Sequence, residues 1–371
     1  MFTEIKDIFS NKGMNHFYIS YSIRSFALSL ITLFIPLYLL KLNYAIKEIF
    51  LFFAIGYLVH ILILIPVVFL AKKIGIIKTM LTSIIFIISF YFALYNIQTY
   101  ELSIPFVAIL FGLNSSLFWT SYHLYIANKG SSKNNGKELG MLKNFSSICS
   151  ALGPVIGGML LFLINFKFLF IISSFLLLFS IYPLFKVNEI YLYYTFNFKK
   201  IFLTQKIGDY FALIGFGIEN HADEVMWPIF IFISVISSYQ LFGFLFSFTF
   251  MISIFFTYFI GYYTDKNKNK LLKIGAILNS INWILRIFSK TTLTIFLVNI
   301  SAKISDSITN ISFDAICYEK ARNQGIVNFI IFREFFILIG TVFVYSLMYF
   351  YPNFIMLFII SATVSLFYLF F

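Results

Sequence analysis

Charge is what this chain has least of. Only 11% of its 371 residues are Asp, Glu, Lys or Arg, while 60% are hydrophobic; a soluble domain carries about 25% charged residues. With a mean hydropathy of +0.92, its surface cannot be held in water. That excludes a soluble enzyme, a disordered chain and a nucleic-acid-binding domain. Cysteine is scarce as well: Cys149 and Cys317 both sit in apolar runs, so there is no disulfide framework and no paired-cysteine metal site. H-E-x-x-H, G-x-S-x-G and a phosphate-binding glycine loop are all missing, which leaves no motif for an enzyme and implies no cofactor or metal. The 52 Phe accompany heavy use of Ile, Lys, Asn and Tyr, a pattern of AT-rich coding rather than of aromatic ligand recognition.

What is present is apolar sequence in long runs. About 20 mostly apolar residues are needed for a helix to cross about 30 Å of hydrocarbon. Polar breaks divide the chain into runs at 16–40, 49–70, 76–96, 103–127, 141–164 and 167–185, then 209–237, 239–262, 271–288, 292–318, 326–350 and 353–371. These predict twelve spans joined by short turns such as Asn165-Phe166-Lys167 and Tyr351-Pro352-Asn353. The polar start, Met1 to Asn15, carries Glu4 and Asp7 and leads into a long span without a small-residue cleavage site, so no removable signal peptide is expected. The longest non-apolar stretch, about 186–207, divides a first half (1–185) from a second (208–371). Its Tyr, Phe and Lys content predicts an amphipathic linker at the inner membrane surface.

The 27 Lys and Arg residues orient these spans. With the N-terminus inside, nineteen of them fall in inner loops and four in outer loops, the asymmetry that fixes topology. The net charge of +12 is therefore a topology signal, not a polyanion-binding one. The chain is expected to be multi-pass in the cell (inner) membrane, with both termini cytoplasmic.

The two halves also echo each other. Ser22-Ile23-Arg24-Ser25 aligns with Gly217-Ile218-Glu219-Asn220, and Ala71-Lys72-Lys73 with Thr264-Asp265-Lys266. Ser121-Tyr122-His123 aligns with Ser312-Phe313-Asp314, and Leu142-Lys143-Asn144-Phe145 with Phe332-Arg333-Glu334-Phe335. The offset stays between 190 and 195 throughout. Duplicated halves with a site between them near the midplane are a common plan for secondary transporters.

Gly261-Tyr-Tyr-Thr-Asp265-Lys266-Asn-Lys268-Asn-Lys270 resembles the loop signature of the major facilitator superfamily, G-x-x-x-D-R/K-x-x-x-R/K. The first-half copy, Leu70-Ala71-Lys72-Lys73-Ile74-Gly75, keeps the basic pair and Gly75 without the leading glycine and the acid. Gly153-Pro154-Val155-Ile156-Gly157-Gly158 resembles the family's G-P-x-x-G-G segment; Cys149 stands where the longer antiporter version has a second glycine. The resemblance implies an all-α fold of twelve transmembrane helices in two pseudo-symmetric six-helix bundles that rock about a central cavity. Physically, Asp265 can pair with Lys266 or Lys270 or cap a helix, acting as a gate latch, or be part of a solvated turn. Gly153, Gly157 and Gly158 allow close helix approach and Pro154 bends the helix, for gating or for plain packing.

Ionisable residues inside spans cost about 2.5–3.5 kcal/mol each on insertion scales and so face a cavity or a partner. Glu219, His221, Asp223 and Glu224 crowd into span seven. Glu219, Asp223 and Trp227 recur every four residues and share a face, which Arg24, the repeat counterpart of Glu219, is expected to meet. Span ten carries Lys303, Asp306, Asn310 and Asp314 as one polar stripe; Lys303 and Asp306 can pair, leaving Asp314 for His123 or a basic loop residue. Span four has a similar stripe ending in Trp119 and His123, and Arg333 and Glu334 open span eleven. Three readings stand side by side: static pairs that hold the bundles, ligands for a solute or coupling ion, and groups at span ends in the interface. Trp119 and Trp227 can stack on a solute or pack, and His60 reads as a hydrogen-bonded packing residue.

The expectation is a secondary transporter moving a small solute by alternating access, coupled to protons, with export favoured by the partial antiporter segment. It would work as a monomer whose partners are the bilayer, the solute and protons, and it would bind no nucleic acid. The alternative is the same fold used as a sensor or lipid-handling membrane protein.

Overall fold

The structure, a computed structural model, describes residues 12–129, 135–194, 201–202 and 205–371, with the side chains of 12, 13, 135–145, 258, 262 and 265 left outside that description. It is all-α, and its helices form the twelve spans in two six-helix bundles. In the first half they are Lys12–Ser29 continued by Ile35–Lys41, then Ile46–Ile74, Ile76–Tyr95, Ile104–Lys129, Asn135–Leu163 and Phe166–Phe185. In the second half they begin with Ile207–His221 continued by Trp227–Ser234. Then come Tyr239–Ile287, which supplies spans eight and nine, followed by Thr292–Gln324, Ile326–Phe350 and Phe354–Ser365.

Proline decides where spans one and seven break. A proline presses on the carbonyl four residues back and offers it no N–H. In span one Pro36 faces Thr32 in this way, and the chain takes a 3-10 turn over Thr32–Phe34 before the helix resumes. In span seven Pro228 bears on Glu224, and the helix widens to a π turn over Ala222–Met226, with the Trp227 N–H reaching back to the Ala222 carbonyl. The loop expected between spans eight and nine is itself helical: one 49-residue element is interrupted only at Asn267 (φ −156°, ψ 60°). Span ten outruns its apolar run and ends at Gln324, so Lys320 and Arg322 ride on the helix rather than in a loop.

Eight of the described helices are long and apolar enough to cross a membrane on those criteria alone. Spans seven, nine, ten and twelve lie outside that group: seven is broken by its π turn, nine is continuous with eight, ten is diluted by Lys303, Asp306 and Asp314, and twelve is short.

In lipid, helices associate by close packing rather than by hydrophobic expulsion. Two seams join the halves. Span two meets span eleven through Phe53 and Tyr57, stacked on Tyr345 at 5.2 and 5.7 Å between ring centres. Span five meets span eight where Gly158 lies against the Tyr239 backbone and Gly243 against the Pro154 carbonyl; a Cβ at either glycine would collide with main chain. Gly153 and Gly157 face span one instead, against Ser29 and Leu30. The core separates into two apolar clusters. One, around Phe17, Tyr125, Phe313 and Tyr318, lies at the end where the described chain begins and ends, with Met14 and Phe371 against it. The other, around Phe34, Phe50, Phe242 and Tyr345, lies at the opposite end.

From Val187 to Tyr194 the linker is extended and docks on the first half, whereas Ile201 and Phe202 are helical, with Phe202 against Phe335 and Phe336 of span eleven. Glu189 accepts hydrogen bonds from the backbone N–H groups of Ile77 (2.7 Å) and Lys78 (3.1 Å) at the start of span three, and Ile76 N–H donates to the Ile190 carbonyl at 3.0 Å. Gly75, at φ +100°, lets the chain turn under this carboxylate; a side chain there would strike Glu189. Lys72 Nζ lies 5.1 Å from the Tyr194 ring centre, and Lys73 is exposed.

Candidate functional site

The π turn of span seven sets the main cluster. It presents Asp223 to two other spans at once: Arg286 Nη2 of span nine donates to Oδ1 and Lys303 Nζ of span ten to Oδ2, both at 2.5 Å. Lys303 also reaches Asp306 at 3.5 Å. One turn before, Glu219 accepts from Trp283 Nε1 (3.2 Å) and from the Tyr368 hydroxyl of span twelve (2.5 Å). Aromatic rings wall the cluster: the Arg286 guanidinium lies 3.9 Å from the Trp283 ring centre and 4.8 Å from that of Trp227, whose indole N–H donates to Asn299 at 2.7 Å. Glu219, Asp223 and Arg286 are buried, while the side chains of Lys303 and Asp306 keep 18% and 21% exposure. Two cations thus face three carboxylates where the dielectric constant is low and Coulomb terms are large. The edge that reaches solvent is the Lys303–Asp306 edge. Glu224, on the exposed side of the π turn, interacts electrostatically with Asp223 and Lys303.

A second cluster lies toward the end that carries the termini. His123 Nδ1 of span four and the Tyr318 hydroxyl of span ten are hydrogen-bonded at 2.6 Å, and His123 Nε2 stands 3.7 Å from Glu334 of span eleven. Arg333 donates to Asp314 at 2.9 Å and pairs with its neighbour Glu334. All four charged or titrating groups are at least nine-tenths buried, so Asp314 and Arg333 are packed inside the protein. The His123 contacts cross from one half to the other, so this cluster is a bolt between the bundles.

The sequence grouping holds in part. Glu219, Asp223, Trp227, Lys303 and Asp306 come together, with Asn310 half-buried further along the span-ten stripe. Arg24 does not join them. Its Nη2 donates to Asn114 of span four at 3.1 Å and its guanidinium lies 3.7 Å from the Phe118 ring centre, so it turns into its own bundle and not toward Glu219. Asp314, expected to meet His123 or a basic loop residue, pairs with Arg333, while His123 lies on Tyr318 and Glu334. Trp227 is buried behind Arg286 and cannot stack on a solute, whereas Trp119, 39% exposed, packs edge-on to Tyr122 and lies over His123. His60 is buried and hydrogen-bonded to Ser115 at 3.1 Å.

Three members of the main cluster, Arg286, Trp283 and Tyr368, escape a reading of the sequence alone. Yet Asn279, Asn282 or Trp283, and Arg286 recur every three or four residues along span nine, a polar stripe as legible as that of span ten. Of the signature loop, Gly261 is buried in the helix, Lys266 and Lys270 are exposed, and Lys268 forms an ion pair with Glu319 at the end of span ten. The side chain of Asp265, the expected latch, lies outside the described residues. Among the described residues no group of three or more His, Cys, Asp or Glu could hold a metal ion.

Residues 17–332 match the sequence profile of the Major Facilitator Superfamily. No curated protein sequence matches the chain. Among solved structures, the chain superimposes on a major facilitator transporter, FucP, in an outward conformation with a TM-score of 0.71 at 13% identity, covering 97% of this chain and 98% of that one. A variant of the E. coli fucose:proton symporter FucP gives 0.69 at 12%, with the same coverage. The human organic anion transporter MFSD10 (TETRAN) gives 0.69 at 9%, covering 97% and 99%. At these identities the likeness is one of fold.

Proposed function

The chain belongs to the major facilitator superfamily, and from that premise we propose that it is a secondary carrier that moves a small solute across the cell membrane by alternating access. The halves 1–185 and 208–371 swing about the seams of spans two with eleven and five with eight, joined by the linker 186–207. The lysine distribution supports placing the termini and the His123 bolt on the cytoplasmic side.

The observation that carries the reading is the buried charge cluster of Glu219, Asp223, Arg286, Lys303 and Asp306, open at one edge. Lys303 is shared between two carboxylates. Adding a proton to either weakens its hold on the ammonium, so a proton or a charged solute arriving at the open edge redistributes Lys303 between Asp223 and Asp306. In this way binding at that edge becomes a change in contacts between spans seven and ten. The His123–Tyr318 and His123–Glu334 contacts have to part when the end that carries the termini opens. Coupling to protons, with export as the direction, is the finer reading; Glu219, held by two neutral donors, is its carboxylate.

The test is transport by proteoliposomes holding the purified protein, screened with small solutes with and without a proton gradient. Glu219→Gln should abolish gradient-driven accumulation while leaving expression and gradient-free exchange intact. Wild-type accumulation by that variant would remove Glu219 from coupling, and an absence of solute flux through the wild-type protein across the whole screen would remove the carrier reading.

A further inference from the structure

Every other described cation buried within a span has an acid beside it: Arg286 and Lys303 share Asp223, and Arg333 holds Asp314 and Glu334. Arg24 has none. It is 5% exposed; one nitrogen donates to the amide oxygen of Asn114, its face lies on Phe118, and Nε and Nη1 find no hydrogen-bond partner. The titratable groups that face it are Tyr21 of its own helix and Tyr91 of span three, phenols that are uncharged near neutral pH. Spans one, three, four and six, which surround it, contain no Asp or Glu anywhere in their sequence. A guanidinium held in low dielectric without a counter-charge is costly.

The same side chain lines a small, partly open cavity between those four spans, together with Ser20, Tyr21, Ile84, Phe118 and Ser180. The cavity has room for one small occupant, of the size of a water molecule or a monatomic ion. Ser20 already donates to the Ser180 carbonyl at 2.7 Å, so the hydrogen-bonding capacity left over belongs to the arginine. A water molecule would satisfy the N–H groups but leave the charge; a small anion does both. Sulfate, phosphate and carboxylate-bearing metabolites are too bulky for this space.

We infer that the cavity beside Arg24 is a binding site for a monovalent anion of halide size, which supplies the counter-charge that the first half lacks. The site lies inside one bundle, away from the charge cluster of the second half, and it stands whether or not the chain transports a solute.

Thermal unfolding of the full chain in lipid nanodiscs tests this, with sodium chloride exchanged for sodium gluconate at constant ionic strength. Chloride and bromide should raise Tm saturably, by about 2–4 °C; sulfate and gluconate should not. Asn114→Asp places a carboxylate where Arg24 already makes a contact, so it should fold and lose the halide response by supplying the charge internally. Arg24→Gln should lose the response by removing the cation. A wild-type protein equally stable in chloride and gluconate, the result if water fills the site, overturns the inference. So does a full chloride response in either variant.

Discussion

Spans one and seven occupy corresponding places in the two halves, and Arg24 and Glu219 fall at the same point of the repeat. Their surroundings could hardly differ more. Arg24 sits on regular helix among aromatic rings, without an acid in reach. Glu219 precedes a π turn that adds Asp223 and Glu224, and three further spans bring Arg286, Lys303 and Tyr368 to meet them. Of the fifteen acidic residues, nine lie in the second half and none of the others falls in the interior of a first-half span. The two halves share helix places, while the buried carboxylates gather in the second. Among the described residues, the first half holds Arg24 within its own bundle and sends His123 across to the second, which carries the shared carboxylate cluster.

This contrast can be broken by experiment. The largest effect is expected for Asp223→Asn, which leaves Arg286 and Lys303 without their shared carboxylate. Breaking a buried ion pair from one side costs about 3–5 kcal/mol, and thermal unfolding should register it alongside lost transport; adding Lys303→Met should recover part of the stability. Next comes the seam between the halves. Gly158→Val forces a side chain against the Tyr239 backbone, an overpacking worth about 1–3 kcal/mol, seen as a lower Tm. Tyr318→Phe removes the hydroxyl bonded to His123, a loss of about 0.5–1.5 kcal/mol. Its sharper signature is access: a cysteine introduced at Ser121 should be labelled faster from the end that carries the termini. The smallest effect is expected at Glu189→Gln, which weakens a charged cap on span three by about 0.3–1 kcal/mol and should speed proteolysis of the linker.

Much of the architecture is readable without coordinates, because twenty apolar residues in a row have only one way to cross a bilayer. The same economy locates Glu219, Asp223, Lys303 and Asp306, since lipid tolerates charge only in company. What a linear pattern lacks is direction. Arg24 is placed in span one correctly, yet its side chain turns toward Asn114 and Phe118 because aromatic faces there accept a guanidinium. Arg286 looks like a terminal residue of span nine until Asp223 arrives from span seven. Glu189 lies in a polar stretch with no periodicity, and only folding shows that it caps a helix more than a hundred residues earlier. Loop-signature matching likewise finds Gly261 and Lys270 but not that the segment is helical up to a kink at Asn267.

The π turn in span seven behaves as a one-residue phase shift. Each residue of an α-helix turns the chain by about 100°, so deleting Ala222 and restoring regular winding would rotate everything from Trp227 to Ser234 relative to Glu219. Trp227 would swing off Asn299 and Arg286 would lose one of its two aromatic walls. A single inserted position thus sets the azimuth of the last third of the helix, and with it which residues meet at the cluster.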